Sequence, residues 1–533
     1  MRPQRQGPAP TFCVLSFEGP DRYSLAGGLG VRVRELTETL AQRGYDTHLI
    51  FVGDPSLPGH ERPTPRAPAW HRWCQWISEH HPSGVYDGED GKLADFSGSV
   101  PPFVVNRIVR PALALGRLPV VMAEEWHTAE SLIRTDALLR EAGLRDRCVL
   151  LWNANNTMSF HRVDWPRLRD AAVVTTVSHY MKHLMWPLGV NPIVIPNGIP
   201  PALLAPVDDD AVAAVRRTLD PRGDRIVLFK VGRFDPAKRW HMAVEAAARL
   251  KERGHAPFLV ISGGIEPHRY EVLDHARARW LDVRTVRADA PDLATLRALL
   301  GPVNGADIID LRCHLADRVL RILYRAADAV LANSGHEPFG LVALEAMAAG
   351  GIVFTGGTGE EYAFTPGAAI PVESDDPEEI VERVLFHRAS PGSARELRSH
   401  ARLQAAAFTW DRAVDVLLEK VAFAARHLRV DGPGARRGRG AGGTTTGAAR
   451  DVVVYLVAHQ PRRLRLPAAA LPDGADPDVL EGLLFDDPLN ERYFRQVAAS
   501  CYRPAVERIG KLLDRGLRLA IGFSGSFLDQ CRM

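Results

Sequence analysis

The sequence predicts an α/β protein with two consecutive domains, each a doubly wound parallel sheet. Two observations carry this. Short apolar runs alternate with amphipathic runs through residues 11–205, and the same alternation returns through residues 206–385. Such alternation is what parallel strands joined by helical crossovers require. The chain has 533 residues, so a third, smaller piece fits beyond the two domains. Two such domains in tandem leave a cleft between the carboxyl ends of their strands, the usual place for a ligand.

In the first domain, strands are expected at 12–17, 48–52, 120–123, 149–152, 173–177 and 193–195, with helices at 31–43 and 129–141. Residues 53–117 show little periodicity, and unstructured loops this long are uncommon unless functional. Within them Trp70, Trp73 and Trp76 fall at three-residue spacing, as a stacking platform for sugar rings or as the apolar face of one short helix. In the second domain, strands are expected at 226–231, 258–262, 283–288, 329–332 and 352–355, with helices at 238–253 and 341–349. Residues 394–428 read as further helix, with Phe408, Thr409 and Trp410 near the middle. Residues 430–450 hold seven Gly and four Arg and no aromatic residue, the composition of a flexible basic linker. Beyond it, 452–458 reads as a buried strand, 490–518 as helix and 519–523 as a second strand. The expected domains are therefore 1–205, 206–428, a linker at 429–450, and 451–533.

Composition excludes several classes. Hydrophobic residues make up 46% and charged residues 24%, as in ordinary globular proteins, not in a collagen or a coiled coil. The net charge is +2, so no global excess draws the chain to nucleic acid or an anionic membrane. The six cysteines form no C-x-x-C pair, which excludes a disulfide framework and suits a reducing cytoplasm. The first ten residues are polar and proline-rich, without the apolar core of a signal peptide. No apolar stretch reaches the length of a membrane-spanning helix, so no transmembrane segment is expected. The oligomeric state stays open.

Three motifs carry chemistry. Residues 334–350 read SGHEPFGLVALEAMAAG, where Glu337 lies in a loop, Gly340 and Leu341 open a helix and Glu345 lies inside it. Backbone N–H groups at a helix start attract phosphate, and Gly340 allows close approach. Eight helical positions span about 12 Å, roughly the reach from a sugar ring across a diphosphate to a ribose. The bland alternative is two solvent-facing glutamates at an ordinary junction. Residues 231–240 read VGRFDPAKRW, placing Arg233 and Lys238 around a strand-to-helix turn. Two cations there suit the charge that develops on a departing diphosphate. A surface Arg and Lys is the plain alternative. Residues 26–30 read AGGLG, where Gly27 and Gly28 let a ligand approach backbone N–H groups, or merely form a tight turn. No carboxylate cluster suggests a bound divalent metal.

Together these residues resemble a retaining, nucleotide-sugar-dependent glycosyltransferase of the GT-B fold, most closely glycosyltransferase family 4 and the glycogen/starch synthases. The matching pieces are AGGLG at 26–30, AEEWHT at 123–128, TTVSHYM at 175–181, IPNGI at 195–199, VGRFDPAK at 231–238, EPFGLVALEAMA at 337–348 and GGTGEE at 356–361. The resemblance implies that Arg233 and Lys238 bind the donor diphosphate and that Glu337 stands beside the donor sugar. It implies that Gly340 and Leu341 contact phosphate through their backbone and that Glu345 binds the ribose. It implies a metal-independent reaction that retains configuration, with no cofactor beyond a nucleoside diphosphate sugar, UDP- or ADP-glucose, as co-substrate. The sequence departs from the bacterial synthases at two places: Leu25 stands where they carry Lys, and Asn153 where they carry an acceptor-side His. His127 and His161 are possible substitutes for that His, and Glu125 with Trp126 resembles the synthases' acceptor-side Asp-Trp pair.

The last piece has its own resemblance. VYLVAHQPRRLRL at 454–466, LFDDPLNERYF at 484–494, CYRPA at 501–505 and IGFSGSFLDQ at 521–530 look like the start of glycoside hydrolase family 57. His459, Gln460 and Pro461 match its first-strand motif. That family's nucleophile and acid lie further along, and about 80 residues cannot close a barrel of some 200 or more. The resemblance implies a truncated piece without hydrolase activity, and it biases the acceptor toward glucose polymers. The expected activity is transfer of glucose to an α-glucan-type acceptor. Its rivals are a transferase of another sugar or acceptor, such as a mannosyl or small-glycoside transferase, and a glucan-binding protein with impaired catalysis.

Overall fold

The computed structural model describes residues 9–264, 266–427, 455–458, 462, 476–514 and 520–532. The chain divides into two compact units, residues 1–436 and 437–533. The first unit holds two sheets. One runs β3-β4-β2-β1-β5-β6-β7-β8, from β1 (Pro10–Leu15), β2 (Asp46–Val52), β3 (His60–Glu61), β4 (Ala69–Trp73), β5 (Leu118–Glu124), β6 (Val149–Ala154), β7 (Val173–Thr176) and β8 (Ile193–Val194). The other runs β11-β12-β10-β9-β13-β14-β15, from β9 (Arg225–Val231), β10 (Ala256–Ser262), β11 (Val283–Arg287), β12 (Ile308–Arg312), β13 (Ala329–Ala332), β14 (Val353–Gly356) and β15 (Ile370–Val372). Every pairing in these sheets is parallel except the short β3–β4 contact. The central strands are continuous apolar runs because helices cover both faces, as in PTFCVL of β1, which is buried from its second residue onward.

Strand order fixes where ligands go. The first sheet reverses direction of winding between β1 and β5, and the second between β9 and β13. Open parallel sheets bind ligands at the carboxyl ends of the strands flanking such a reversal. The motif at 231–240 leaves β9 and the motif at 334–350 leaves β13, so topology sets them side by side. The glycine motif follows β1, and Glu124 ends β5.

Several expectations need correction. The tryptophans do not share a helical face: Trp70 and Trp73 lie on β4, whereas Trp76, 65% exposed, lies in the short helix Gln75–Ser78. β4 escapes a reading for apolar runs because its sequence is AWHRW, with Arg72 buried against Asp21 at 2.8 Å. β12 escapes for a related reason. Asp310 interrupts its apolar run, yet is buried between Arg269 (2.9 Å) and Arg312 (2.7 Å). Residues 394–428 are not one helix. Helices Pro391–Ala405 and Trp410–His427 are broken at Phe408, whose carbonyl accepts from Ile199 N at 2.9 Å, while Trp410 N donates to Ile199 O at 3.2 Å. The second of these helices returns to the first sheet, where Trp410, Val414, Leu417 and Val421 pack with Phe12, Val14 and Leu36.

In the second unit, β16 (Tyr455–Ala458) pairs in parallel with β17 (Ala520–Phe523), and helices Asp487–Val497 and Arg503–Leu513 lie between them in sequence. The linker expected at 429–450 and the His459-Gln460-Pro461 motif lie outside the described residues. Among the described residues, no helix is long and apolar enough to cross a membrane.

Candidate active site

At the second reversal point two loops meet through their backbones, Gly335 N donating to Ala237 O at 2.7 Å. Lys238 does not open the following helix, as the sequence suggested. It ends a single turn of tighter helix, Pro236–Lys238, started by Asp235, whose side chain accepts from Ala237 N at 2.8 Å. Helix Trp240–Glu252 begins two residues later, after Arg239 adopts φ +53°. This arrangement carries the Lys238 ammonium across the gap to the Glu337 carboxylate, to which it is hydrogen-bonded. Ser334 Oγ donates to the same Glu337 oxygen at 3.1 Å, and Glu337 N donates to Thr358 Oγ1 at 2.9 Å. An ammonium has three donors, so Lys238 keeps two for other acceptors.

Gly340 caps helix Leu341–Ala348 with φ +100°, and a Cβ there would stand 2.6 Å from the Tyr362 hydroxyl. Tyr362 in turn donates to Phe339 O at 2.7 Å, fixing the turn from which the helix N–H groups emerge. Lys238, Ser334, Glu337, Gly340, Thr358 and Tyr362 line one hollow. A second hollow of about 560 Å³ adjoins it at Val231, lined by Ser262, Gly263, Arg269, Tyr270, Arg312 and His314 at the ends of β10 and β12.

Of the residues expected from sequence, the structure thus brings together Lys238, Glu337 and Gly340. Arg233 is exposed and lines neither hollow, its carbonyl accepting from Trp240 Nε1 at 2.9 Å. Leu341 opens the helix without lining the hollow. Glu345 is half-buried a turn further in, and burial, with Asp317 nearby, pushes its carboxyl up to about 7. Sequence reasoning missed Lys230. It is 2% exposed beneath the first hollow, where its ammonium donates to Leu331 O (2.9 Å) and Asn333 Oδ1 (2.6 Å). Burial, with Lys238 adding, drives it well below the usual ammonium range. The signal was a charge inside the strand RIVLFKV, otherwise apolar after its first residue.

The first reversal point differs from expectation. Gly27 is not a free phosphate ligand, because Gly27 N (2.9 Å) and Gly30 N (3.0 Å) already donate to the buried Glu18 carboxylate. Gly28 starts helix Gly28–Gln42 and faces open space. Asn153 does not face a ligand either. It is fully buried, donating to Glu124 at 2.9 Å and accepting from Thr175 Oγ1 at 2.9 Å, in a network that Arg32 completes by pairing with Glu124. His161 is exposed. Glu125, Trp126 and His127 are buried together at the end of β5, with the Trp126 and His127 rings stacked at 3.8 Å. Among the described residues, no group of three or more His, Cys, Asp or Glu side chains is placed to share a metal ion.

The two lobes touch beside the donor-side hollow. Glu360 accepts from His179 N and bonds His179 Nδ1, both at 2.7 Å, and Tyr180 OH bonds His336 Nδ1 at 2.8 Å.

Comparison with known proteins agrees with this geometry. Residues 213–404 match the family described as Glycosyl transferases group 1. A D-inositol 3-phosphate glycosyltransferase of Geodermatophilus obscurus is 31% identical over 265 residues, covering 48% of this chain and 53% of that protein. The match therefore spans about half the length of that relative. Among solved structures, sucrose-phosphate synthase of Thermosynechococcus elongatus superposes with a TM-score of 0.56 at 21% identity, covering 78% of this chain and 100% of that one. The catalytic domain of Arabidopsis thaliana starch synthase IV, bound to ADP and acarbose, superposes with a TM-score of 0.54 at 14% identity, covering 79% and 100%. Residues 213–404 are a glycosyl transferases group 1 domain, and the two-sheet unit that holds them has the GT-B fold.

Proposed function

We propose that this chain is a retaining glycosyltransferase that moves a hexosyl group, read as glucose, from a nucleoside diphosphate sugar to an α-glucan-type sugar acceptor. The observation that carries it is the convergence of Lys238, Glu337 and the Gly340 helix start on one hollow at the second reversal point. In this reading the donor diphosphate sits at the helix start, where free N–H groups and the dipole favour negative charge. The larger adjoining hollow takes the nucleoside, and Glu345 receives the ribose hydroxyls.

The bond from the sugar anomeric carbon to the diphosphate oxygen breaks, and Lys238 and Arg233 take up the charge left on the diphosphate. An acceptor hydroxyl oxygen bonds the same face of that carbon, and its proton passes to a departing phosphate oxygen. No metal or further cofactor takes part in this reading. Glu337 has a double duty: it holds Lys238 in place before the donor arrives and stands beside the sugar. For residues 451–533 we propose a family-57-like piece without hydrolase activity. The parallel β16–β17 pair supports the likeness, and no residue there matches that family's nucleophile or acid.

Titration calorimetry with UDP-glucose, ADP-glucose and GDP-mannose tests the donor reading. One donor is expected to bind, and Lys238→Ala to weaken it about tenfold or more, a lost charge-assisted hydrogen bond. Equal binding by the variant would contradict the assignment.

A further inference from the structure

The acceptor's chemistry is written at the first reversal point, and this inference rests on the glycosyltransferase reading above. The glycine loop offers N–H groups of the kind that elsewhere bind anions. Here Glu18 Oε2 holds those of Gly27 and Gly30, and its other oxygen accepts from Tyr86 OH at 2.6 Å. The chain has filled its own anion place. The cations that touch the surrounding residues are also committed. Arg32 pairs with Glu124. Lys92, fully buried, points its ammonium at Tyr23 OH (2.6 Å) and the carbonyls of Gly84 (3.1 Å), Val85 (3.2 Å) and Asp87 (2.5 Å). Arg162 lies over the Trp126 ring at 4.1 Å and reaches Asp90 at 3.5 Å.

What remains unmet is a matched pair of polar atoms. Glu125 is 3% exposed. Its Oε1 accepts from Asn155 N (2.7 Å) and Asn156 N (3.1 Å), while Oε2 has no partner among the described residues. His127 is 5% exposed. Its Nε2 bonds Glu89 at 2.8 Å, and Nδ1 has no partner among the described residues. Burial, with Glu124 nearby, pushes the Glu125 carboxyl up to about 8, so at neutral pH it carries a proton to donate. Burial pulls His127 down to about 4, leaving a neutral ring whose Nδ1 accepts when Nε2–H faces Glu89. One donor beside one acceptor is the complement of a hydroxyl group. The backbone gives up ease for this. Glu125 holds φ +66° and ψ 171°, a region otherwise left to glycine, so the carboxyl is kept there against local preference.

We propose that Glu125 and His127 bind a hydroxyl of an uncharged polyol acceptor, and that this chain discriminates against phosphorylated acceptors. A phosphomonoester would bring about two negative charges to a rim already holding Glu18, Glu89 and Glu124. The inositol-phosphate relative thus shares the domain but not, on this reading, the acceptor class.

The test measures transfer from the donor identified by calorimetry to matched pairs: glucose and glucose 6-phosphate, myo-inositol and its 3-phosphate. Saturation-transfer NMR of the same acceptors on the nucleotide-loaded protein runs alongside. The neutral member is expected to be used and bound about tenfold better or more, the weight of one or two hydrogen bonds. Preference for the phosphorylated member, or binding of neither, overturns the inference while donor binding leaves the transferase reading standing. Absence of donor binding defeats that reading instead, and the NMR pairs still decide this one. Glu125→Gly suits the backbone better than glutamate, so it is expected to fold at least as stably and to lose acceptor binding about tenfold. Glu125→Gln keeps both an acceptor and a donor and is expected to retain it. Unchanged acceptor binding by Glu125→Gly also overturns the inference.

Discussion

Two carboxyls in this protein hold their protons far into the neutral range for the same reason, the loss of water. Burial raises Glu125 to about 8 and Glu345 to about 7, each with a second carboxylate near it. The sign of the consequence follows from linkage. A carboxyl raised on folding adds no penalty below its unfolded range, and it costs stability as pH rises through its folded value. The thermal midpoint is therefore expected to fall between pH 6 and pH 9 in scanning calorimetry. Glu125→Gln removes one of the two groups, so its midpoint should fall less steeply; a parallel decline in both proteins would refute the buried-proton account. Glu345 carries a functional counterpart. Its ionised form accepts from ribose hydroxyls more strongly, so donor affinity is expected to rise as pH passes about 7.

At the scale of elements, the start of helix Leu341–Ala348 is the most constrained piece of the donor side. Gly340→Ala puts a methyl 2.6 Å from the Tyr362 hydroxyl at a φ of +100°. The expected cost is about 1–3 kcal/mol of stability by urea denaturation, with weaker nucleotide binding because the helix N–H groups move. The helix itself was legible in the sequence, as were nearly all the central strands, because apolar runs bounded by glycine and polar turns mark them. The elements missed share a cause. β4 and β12 bury their charges, Arg72 and Asp310, in pairs with partners distant in sequence, so neither reads as an apolar run. The break at Phe408 was hidden likewise, since it is imposed by backbone contact with Ile199 and not by a local helix breaker. Within the site, Glu337 and Lys238 were readable from spacing, whereas Glu18 was not. Its role is to satisfy amides nine and twelve residues away in sequence, which only folding brings near.

At the scale of the whole two-lobed unit, the lobes meet through a few polar contacts next to the donor hollow. Glu360 grips the backbone and ring of His179, and Tyr180 grips His336, one residue from Glu337. Closing the lobes excludes water from the reacting centre. Glu360→Ala is expected to leave each lobe folded but to raise the radius of gyration in small-angle scattering. It is also expected to increase donor hydrolysis relative to transfer. An unchanged radius and product ratio would show that the contact does not hold the lobes together.

The return of helix Trp410–His427 to the first sheet has a practical consequence for anyone recombining such enzymes. The polypeptide passes from lobe to lobe twice, once after β8 and again near Phe408, so the nucleotide-binding half is an insertion within its partner, not a C-terminal appendage. A hybrid that exchanges everything downstream of β8 would strip Trp410, Val414, Leu417 and Val421 from the acceptor half and leave that flank bare. Splicing should instead exchange the stretch between the two crossings and keep the host's own closing helix.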